Sequence, residues 1–230
     1  MPFTYLVNQL RRNGVNENSL YLLLIVPFLA FTITFAKQVI GLEAIGFYTP
    51  LITSLALLNI GFSTGTYIFI LLYLFSYIAY KTITKIKLHY LAKNALIVSI
   101  FSLLSIIIIT FLGIFSKTQI HIINIAIFPL VVLITVVESF AKQIYLKGYK
   151  SGSKNVFETF LLCCIAYFLA GGAITVMNLD ISVSFFKNYI IQYPDLNILL
   201  ILSILYLGQW KGLKFTEYYN IRKYNSNIEE

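Results

Sequence analysis

Seven long apolar runs divide this chain, and they constrain its fold more than any other feature. The runs lie at residues 20–36 (or up to residue 40), 47–60, 67–80, 95–115, 120–137, 156–177 and 196–207. A helix of about 20 residues crosses the hydrocarbon core of a bilayer, which is about 30 Å thick. The runs are continuous and lack the alternation of a membrane barrel strand. The sequence therefore predicts an all-α membrane protein with seven transmembrane helices.

The composition agrees with a lipid environment. Of the 230 residues, 59% are apolar and 11% are charged, against about 25% charged in a soluble domain. The mean hydropathy is +0.83, and a water-soluble globule has no means of covering so much apolar surface. The net charge of +8 comes from lysines in the loops rather than from a basic stripe. We therefore expect a lipid bilayer as partner, and no nucleic acid.

The basic residues are distributed unevenly between the two sets of loops. Thirteen of the seventeen fall in the segments after runs one, three and five and in the tail, whereas Arg11, Arg12, Lys117 and Lys187 fall on the other side. The positive-inside rule then places the N-terminus outside and the C-terminus in the cytoplasm. Arg11 and Arg12, taken alone, favour the opposite orientation. This topology predicts an extracytoplasmic segment 1–18, a transmembrane domain 19–210 and a cytoplasmic tail 211–230.

A short polar segment follows the first apolar run, and we call residues 36–50 the corner. It carries Lys37, Glu43, Gly41 and Gly46, and it ends in Pro50. Glycine permits turns that other residues resist, and proline suits the first turn of a helix. We therefore expect an ordered connection at the cytoplasmic rim rather than a free loop.

The corner also carries a family resemblance. Residues Ala36-Lys-Gln-Val-Ile-Gly-Leu-Glu43, followed by Gly46-Phe-Tyr-Thr-Pro50, resemble the signature of a bacterial membrane module with seven transmembrane helices, usually fused to an inactive transglutaminase-like domain. Weaker similarity lies in Ser19–Pro27, Phe128-Pro129 with Glu138, Tyr193–Asp195 and Gly208–Gly212. Lysine stands at position 37, where the family often has arginine.

The resemblance implies a location and a set of partners. It implies the bacterial inner (plasma) membrane, an extracytoplasmic transglutaminase-like domain supplied separately, and a cytosolic partner from an ATP-grasp ligase system. It implies no enzymatic activity for the helices themselves.

The candidate site is a polar pocket at the corner. Its predicted members are Lys37, Gln38, Glu43, Thr49 and Glu138, because ionisable groups near the bilayer are costly to bury unless they are paired. A paired, buried role is favoured for Glu43. Two other interpretations remain open: Lys37 snorkels to the interface on its own, and Glu138 pairs only with Lys142.

Two pairs of glycines are interpreted differently, one as a structural feature and one as a chance match. Gly171 and Gly172 lie inside the sixth run, where they predict a kink or a close approach between helices. Gly148 and Gly152 fit the small-xxx-small pattern of packed helices. Because this pair lies in a polar segment, the match is interpreted as chance.

No catalytic constellation is evident in the sequence. His89 and His121 are predicted on opposite sides of the membrane, and the adjacent Cys163 and Cys164 are interpreted as small buried hydrophobes. We therefore expect no cofactor, no metal and no enzymatic activity. The leading hypothesis is a membrane sensor or scaffold that couples an extracytoplasmic domain or ligand to a cytosolic protein. The alternative is a transporter or lipid-handling protein with a cavity between its helices.

Overall fold

A computed structural model describes residues 2–63, 146–176, 179–182 and 192–209 continuously, and single residues or short groups between 65 and 144 and between 190 and 218. Most of the third to fifth apolar runs falls outside the described residues. The chain divides into two compact units. The first comprises residues 1–51, 158–171 and 183–230, and the second comprises residues 52–157 and 172–182.

The first apolar run forms one long helical segment. Helix α1 (Pro2–Arg12) precedes α2 (Glu17–Leu24) and α3 (Val26–Phe35), which continues into a π-helix (Ala36–Ile40). A turn at Ile25 separates α2 from α3 because Pro27, in the first turn of α3, has no N–H to donate. Of the two limits considered for this run, residues 36 and 40, the structure has the longer one. Helix α1, in contrast, is not among the predicted elements.

In the described part of the chain, one helical segment is both long and apolar enough to cross a membrane. It is the 24-residue segment from Glu17 to Ile40. The apolar helices Tyr48–Ile60 (α4) and Leu196–Gly208 (α6) have 13 residues each. Their bounds match the predicted second and seventh spans to within one residue.

Helix α6 exposes apolar side chains around most of its circumference. Leu199, Leu202 and Leu205 are each at least 60% exposed, and among its side chains Leu207 is buried. A helix that is apolar all round needs a lipid or protein environment. Its packing against α3 covers part of one side, so lipid suits the remainder.

The sixth span differs from the prediction. Helix α5 runs from Tyr149 to Leu169, whereas the sequence predicted a span at 156–177. Gly171 adopts a φ of 85°, which ends the helix because this left-handed conformation favours glycine. A short antiparallel hairpin of β1 (Ala173–Val176) and β2 (Leu179–Ser182) follows. The all-α prediction therefore omitted one small two-stranded sheet.

The core of the first unit lies where α5 packs against the first helical segment. Ile33, Ala36, Ala44 and Leu162 form one buried cluster, with Leu42 and Leu51 against it. At the other end of this contact, the Tyr21 hydroxyl donates a hydrogen bond to the Ala170 carbonyl. Residues 158 and 159 bind residues 43 and 45, and residue 170 binds residue 21, so α5 runs antiparallel to α2 and α3.

Close helix packing marks the second unit. A Cβ added to Gly152 of α5 would lie 2.4 Å from the Ile144 Cα. This distance is too short for a residue with a side chain, so the position requires glycine. Phe69 and Phe140 meet edge to face, with ring centroids 5.3 Å apart. Gly152 is therefore closely packed, whereas a Cβ added to Gly148 would meet nothing within 4 Å, so the two glycines do not form one packed pair.

Candidate functional site: the polar corner

The corner begins with the π-helix at the end of the first helical segment. The Ala36 carbonyl accepts hydrogen bonds from the amides of Gly41 (3.0 Å) and Leu42 (3.2 Å). Gly41 has a φ of 89° and Gly46 a φ of 54°, so both glycines supply turns that a side chain would oppose. Pro50 lies in the first turn of α4. The prediction of an ordered connection is confirmed.

The side chain of Lys37, which belongs to the π-helix, binds the later part of the corner. Its ammonium donates to the carbonyls of Ala44 and Gly46, each at 2.8 Å. Charge-assisted hydrogen bonds of this kind are stronger than neutral ones. Lys37 thus holds the carbonyl side of the corner, and its ammonium is not paired with the Glu43 carboxylate in the part of the chain that the structure describes.

Helix α5 holds the amide side of the corner. The Glu158 Oε2 accepts from the Glu43 N–H at 2.6 Å, and the Thr159 Oγ1 accepts from the Ile45 N–H at 2.9 Å. Thr159 is fully buried, so an unpaired amide there would be costly. Along residues 43–46, amides bound by α5 therefore alternate with carbonyls bound by Lys37 of the π-helix.

The same face of α5 continues the contact to α4. Leu162 packs in the buried cluster under the corner, and the Cys163 Sγ lies 3.6 Å from the Pro50 carbonyl oxygen, to which the thiol donates. Cys163 is fully buried, Cys164 is half-buried, and neither forms a disulfide. The interpretation of Cys163 as a small buried residue is confirmed.

Four of the five predicted site residues belong to the corner by sequence, and the structure describes all four. Lys37 has the contacts given above, and Gln38 has a buried Oε1 atom without a hydrogen-bond partner among the described residues. Thr49 lies half-buried in the first turn of α4. Glu138 lies outside the described residues. A shared binding role for these residues stays a prediction.

Glu43 differs from the expectation of a paired, buried side chain. Its side chain is exposed, and its backbone amide is the group that α5 binds. The Glu158 carboxylate is already bound to the Glu43 amide, and a second carboxylate beside it would meet a like charge. An exposed strip remains on the outer side, formed by Glu43, Gly46, Phe47 and Tyr48.

Sequence reasoning missed Glu158 and Thr159 as members of the site. The sequence marks Glu158 only as an acid at the end of a span, although it is the one acidic residue in the sixth run. A carboxylate retained in an otherwise apolar run signals a partner. No comparable signal marks Thr159, whose contact depends on the antiparallel register of α5.

Metal-ligating groups are sparse in the described part of the chain. No cluster of three or more histidine, cysteine, aspartate or glutamate side chains there has a geometry that could hold a metal ion. Both histidines lie outside the described residues. The chemistry that the corner itself offers is hydrogen bonding and charge.

The match to a known family decides the class of this protein. Residues 5–225 match the model of a family described as seven transmembrane helices usually fused to an inactive transglutaminase. The chain belongs to this family. The resemblance inferred from the corner is thereby confirmed, and this family assigns the chain to the multi-pass membrane proteins. No curated protein and no solved structure matches the chain.

Proposed function

We propose that this chain is the membrane module of a non-enzymatic sensor or scaffold in the bacterial inner membrane. In this role it couples an extracytoplasmic domain or ligand to a cytosolic protein. Membership in a family usually fused to an inactive transglutaminase supports a membrane module without its own catalysis. The extracytoplasmic partner is then a transglutaminase-like domain, and the cytosolic partner is a ligase of the ATP-grasp class.

The observation that carries this proposal is the way the corner joins three membrane helices. The first segment enters it through Lys37, α4 leaves it at Tyr48, and α5 binds it through Glu158 and Thr159. A displacement of α5 relative to the first segment therefore acts directly on the corner. Coupling between distant sites requires an element with two arrangements that both sites bias, and we assign that role to the corner.

In the first unit, we place the partner contact at the exposed strip Glu43, Gly46, Phe47 and Tyr48. By charge alone, the basic segments 81–94, 139–156 and 211–230 belong to the cytoplasmic side of the proposed topology. The rings of Phe47 and Tyr48 meet edge to face with centroids 5.5 Å apart. Exposed aromatic side chains next to a charge are typical of interaction surfaces.

Co-purification from detergent-solubilised membranes tests this proposal. We expect the full chain to retain a soluble ATP-grasp ligase, and we expect Glu43→Lys to lose it because the charge of the exposed strip is reversed. Gln192→Lys, also at an exposed position, is the matched control and should retain the ligase. Failure of the wild-type chain to retain any such enzyme would contradict the proposal.

A lipid-handling function is the second candidate, and one observation favours it. A groove of about 440 Å³ lies between α3 and α6. Phe31, Phe35, Leu202 and Tyr206 contribute to its apolar lining, which has the dimensions and chemistry of an acyl-chain site. Movement of fluorescent lipid between leaflets of proteoliposomes that contain the chain alone would support this function over the scaffold.

A further inference from the structure

Helix α1 has three sides with different environments: one packed against the protein, one apolar and exposed, and one polar and exposed. Val7 is buried against the protein, and the Thr4 hydroxyl on the same side donates to the Asp195 carboxylate at 2.7 Å. Leu6 and Leu10, one helical turn apart, are 51% and 44% exposed. Asn8, which is two residues from each leucine and therefore on the opposite side of the helix at about 100° per residue, is also exposed.

Two polar contacts fix the level of α1 along the membrane helices. Asp195, which accepts from Thr4, directly precedes α6. Arg11 forms an ion pair of 2.9 Å with Glu17, the first residue of α2. Both α2 and α6 are apolar helices of a seven-span family. Helix α1 therefore lies at the level where these two helices begin, which is the boundary of the bilayer.

We propose that α1 is an interfacial helix that binds the surface of an anionic bilayer. Leu6 and Leu10 enter the boundary between headgroups and acyl chains, while Asn8 and Arg12 face the headgroup phosphates and water. Helices with one apolar face and basic polar residues bind lipid in this orientation. Helix α1 has no acidic residue, and Arg12 in its last turn is complementary to anionic headgroups, whereas Arg11 is paired with Glu17.

The position of the exposed leucines supports lipid as the occupant. Leu6 and Leu10 lie beside the face of α1 that carries Val7 and Thr4, not opposite to it. If that face rests against α2 and α6, the two leucines point along the bilayer normal. Tyr5, which is 70% exposed, lies on the side of Asn8 and Arg12 at about 100° per residue, where an amphipathic ring suits the headgroup level. A second copy of the chain or a soluble protein would instead cover the leucines without lipid contact.

Tryptophan fluorescence of the full chain in vesicles tests the proposal. Trp210 is the one tryptophan of the chain, so Trp210→Phe provides a silent background for Leu6→Trp and for the matched control Asn8→Trp. We expect lipids brominated along the acyl chain to quench Leu6→Trp at least roughly twofold more than Asn8→Trp. Aqueous iodide should quench the control more strongly.

Two results would overturn the inference. Equal quenching of the two variants by iodide would show that α1 stands in water. Shielding of Leu6→Trp from iodide without quenching by brominated lipid would show that protein covers this face.

A comparison of two lipid compositions tests the preference of α1 for anionic lipid. Quenching of Leu6→Trp by brominated lipid should be stronger in vesicles that contain phosphatidylglycerol than in vesicles of phosphatidylcholine, and Arg12→Gln should reduce the difference. An unchanged difference in the Arg12→Gln variant would contradict the role given to Arg12.

Discussion

At the scale of single residues, Lys37 shows why a charge near a membrane need not bind an opposite charge. Its ammonium donates to two backbone carbonyls of a tight connection, one of them part-buried and the other exposed. Two carbonyl oxygens do not require the bidentate geometry that a carboxylate requires of arginine. Lysine at this position is therefore consistent with a structural contact.

Removal of the Lys37 ammonium should loosen the corner. We expect Lys37→Met to lower the free energy of unfolding by about 1 kcal/mol, since charge-assisted bonds are lost but one of them is exposed to solvent. Lys37→Arg should retain most of the stability because a guanidinium can donate to both carbonyls. Denaturation midpoints in detergent measure both effects, and equal midpoints for Lys37→Met and wild type would refute the role of the ammonium.

Thr159 accepts a buried hydrogen bond from the Ile45 amide. Substitution by valine removes this bond while the side chain keeps its shape. We expect Thr159→Val to destabilise the protein by about 1–3 kcal/mol, because the buried Ile45 amide loses its acceptor. Thr159→Ser keeps the hydroxyl and should cost less. If the valine variant proved as stable as the serine variant, the hydrogen bond to Ile45 would not contribute to stability.

At the scale of elements, α5 is the helix that organises the described structure. Its residues 158, 159, 162 and 163 lie on one helical face, at the spacings that i, i+1, i+4 and i+5 give. That face contacts the corner, the core cluster and the start of α4 in the first unit. In the second unit, Gly152 of the same helix approaches the Ile144 backbone.

The close approach at Gly152 is testable by adding one methyl group. Gly152→Ala should destabilise the protein by about 1–3 kcal/mol, because the new Cβ overlaps backbone atoms that have no rotamer to change. Gly208→Ala in α6, where nothing lies within 4 Å of an added Cβ, is the control and should be nearly neutral. The comparison uses denaturation midpoints, and similar midpoints for both variants would contradict the packing described for Gly152.

At the scale of the whole molecule, orientation rests on charge distribution. By sequence, Arg11 and Arg12 oppose an external N-terminus, whereas the thirteen basic residues of the other set of loops and the tail favour one. The proposed topology then predicts a fluorescent C-terminal GFP fusion and an inactive C-terminal alkaline phosphatase fusion. The reverse pattern of reporter activity would place the C-terminus outside.

Sequence reasoning predicted those features that depend on local chemistry. The limits of α4 and α6, the extent of the first helical segment and the ordered corner depend on apolar runs, glycines and proline near the residues that carry them. The contacts of Glu158 and Thr159 depend on the register of α5, which no local pattern encodes. The end of α5 was missed because Gly171 lies inside an apolar run, where hydropathy continues but the helix does not.

The π-helix has a consequence for which changes of length the chain tolerates. A π turn holds one more residue than an α turn. Deletion of one residue other than Lys37 from 36–40 would convert this turn into an α turn, which covers nearly the same rotation with one residue fewer. The amides of Glu43 and Ile45 would then still face Glu158 and Thr159. A second deletion would rotate them by about 100°, so we expect one deletion here to lower stability far less than two.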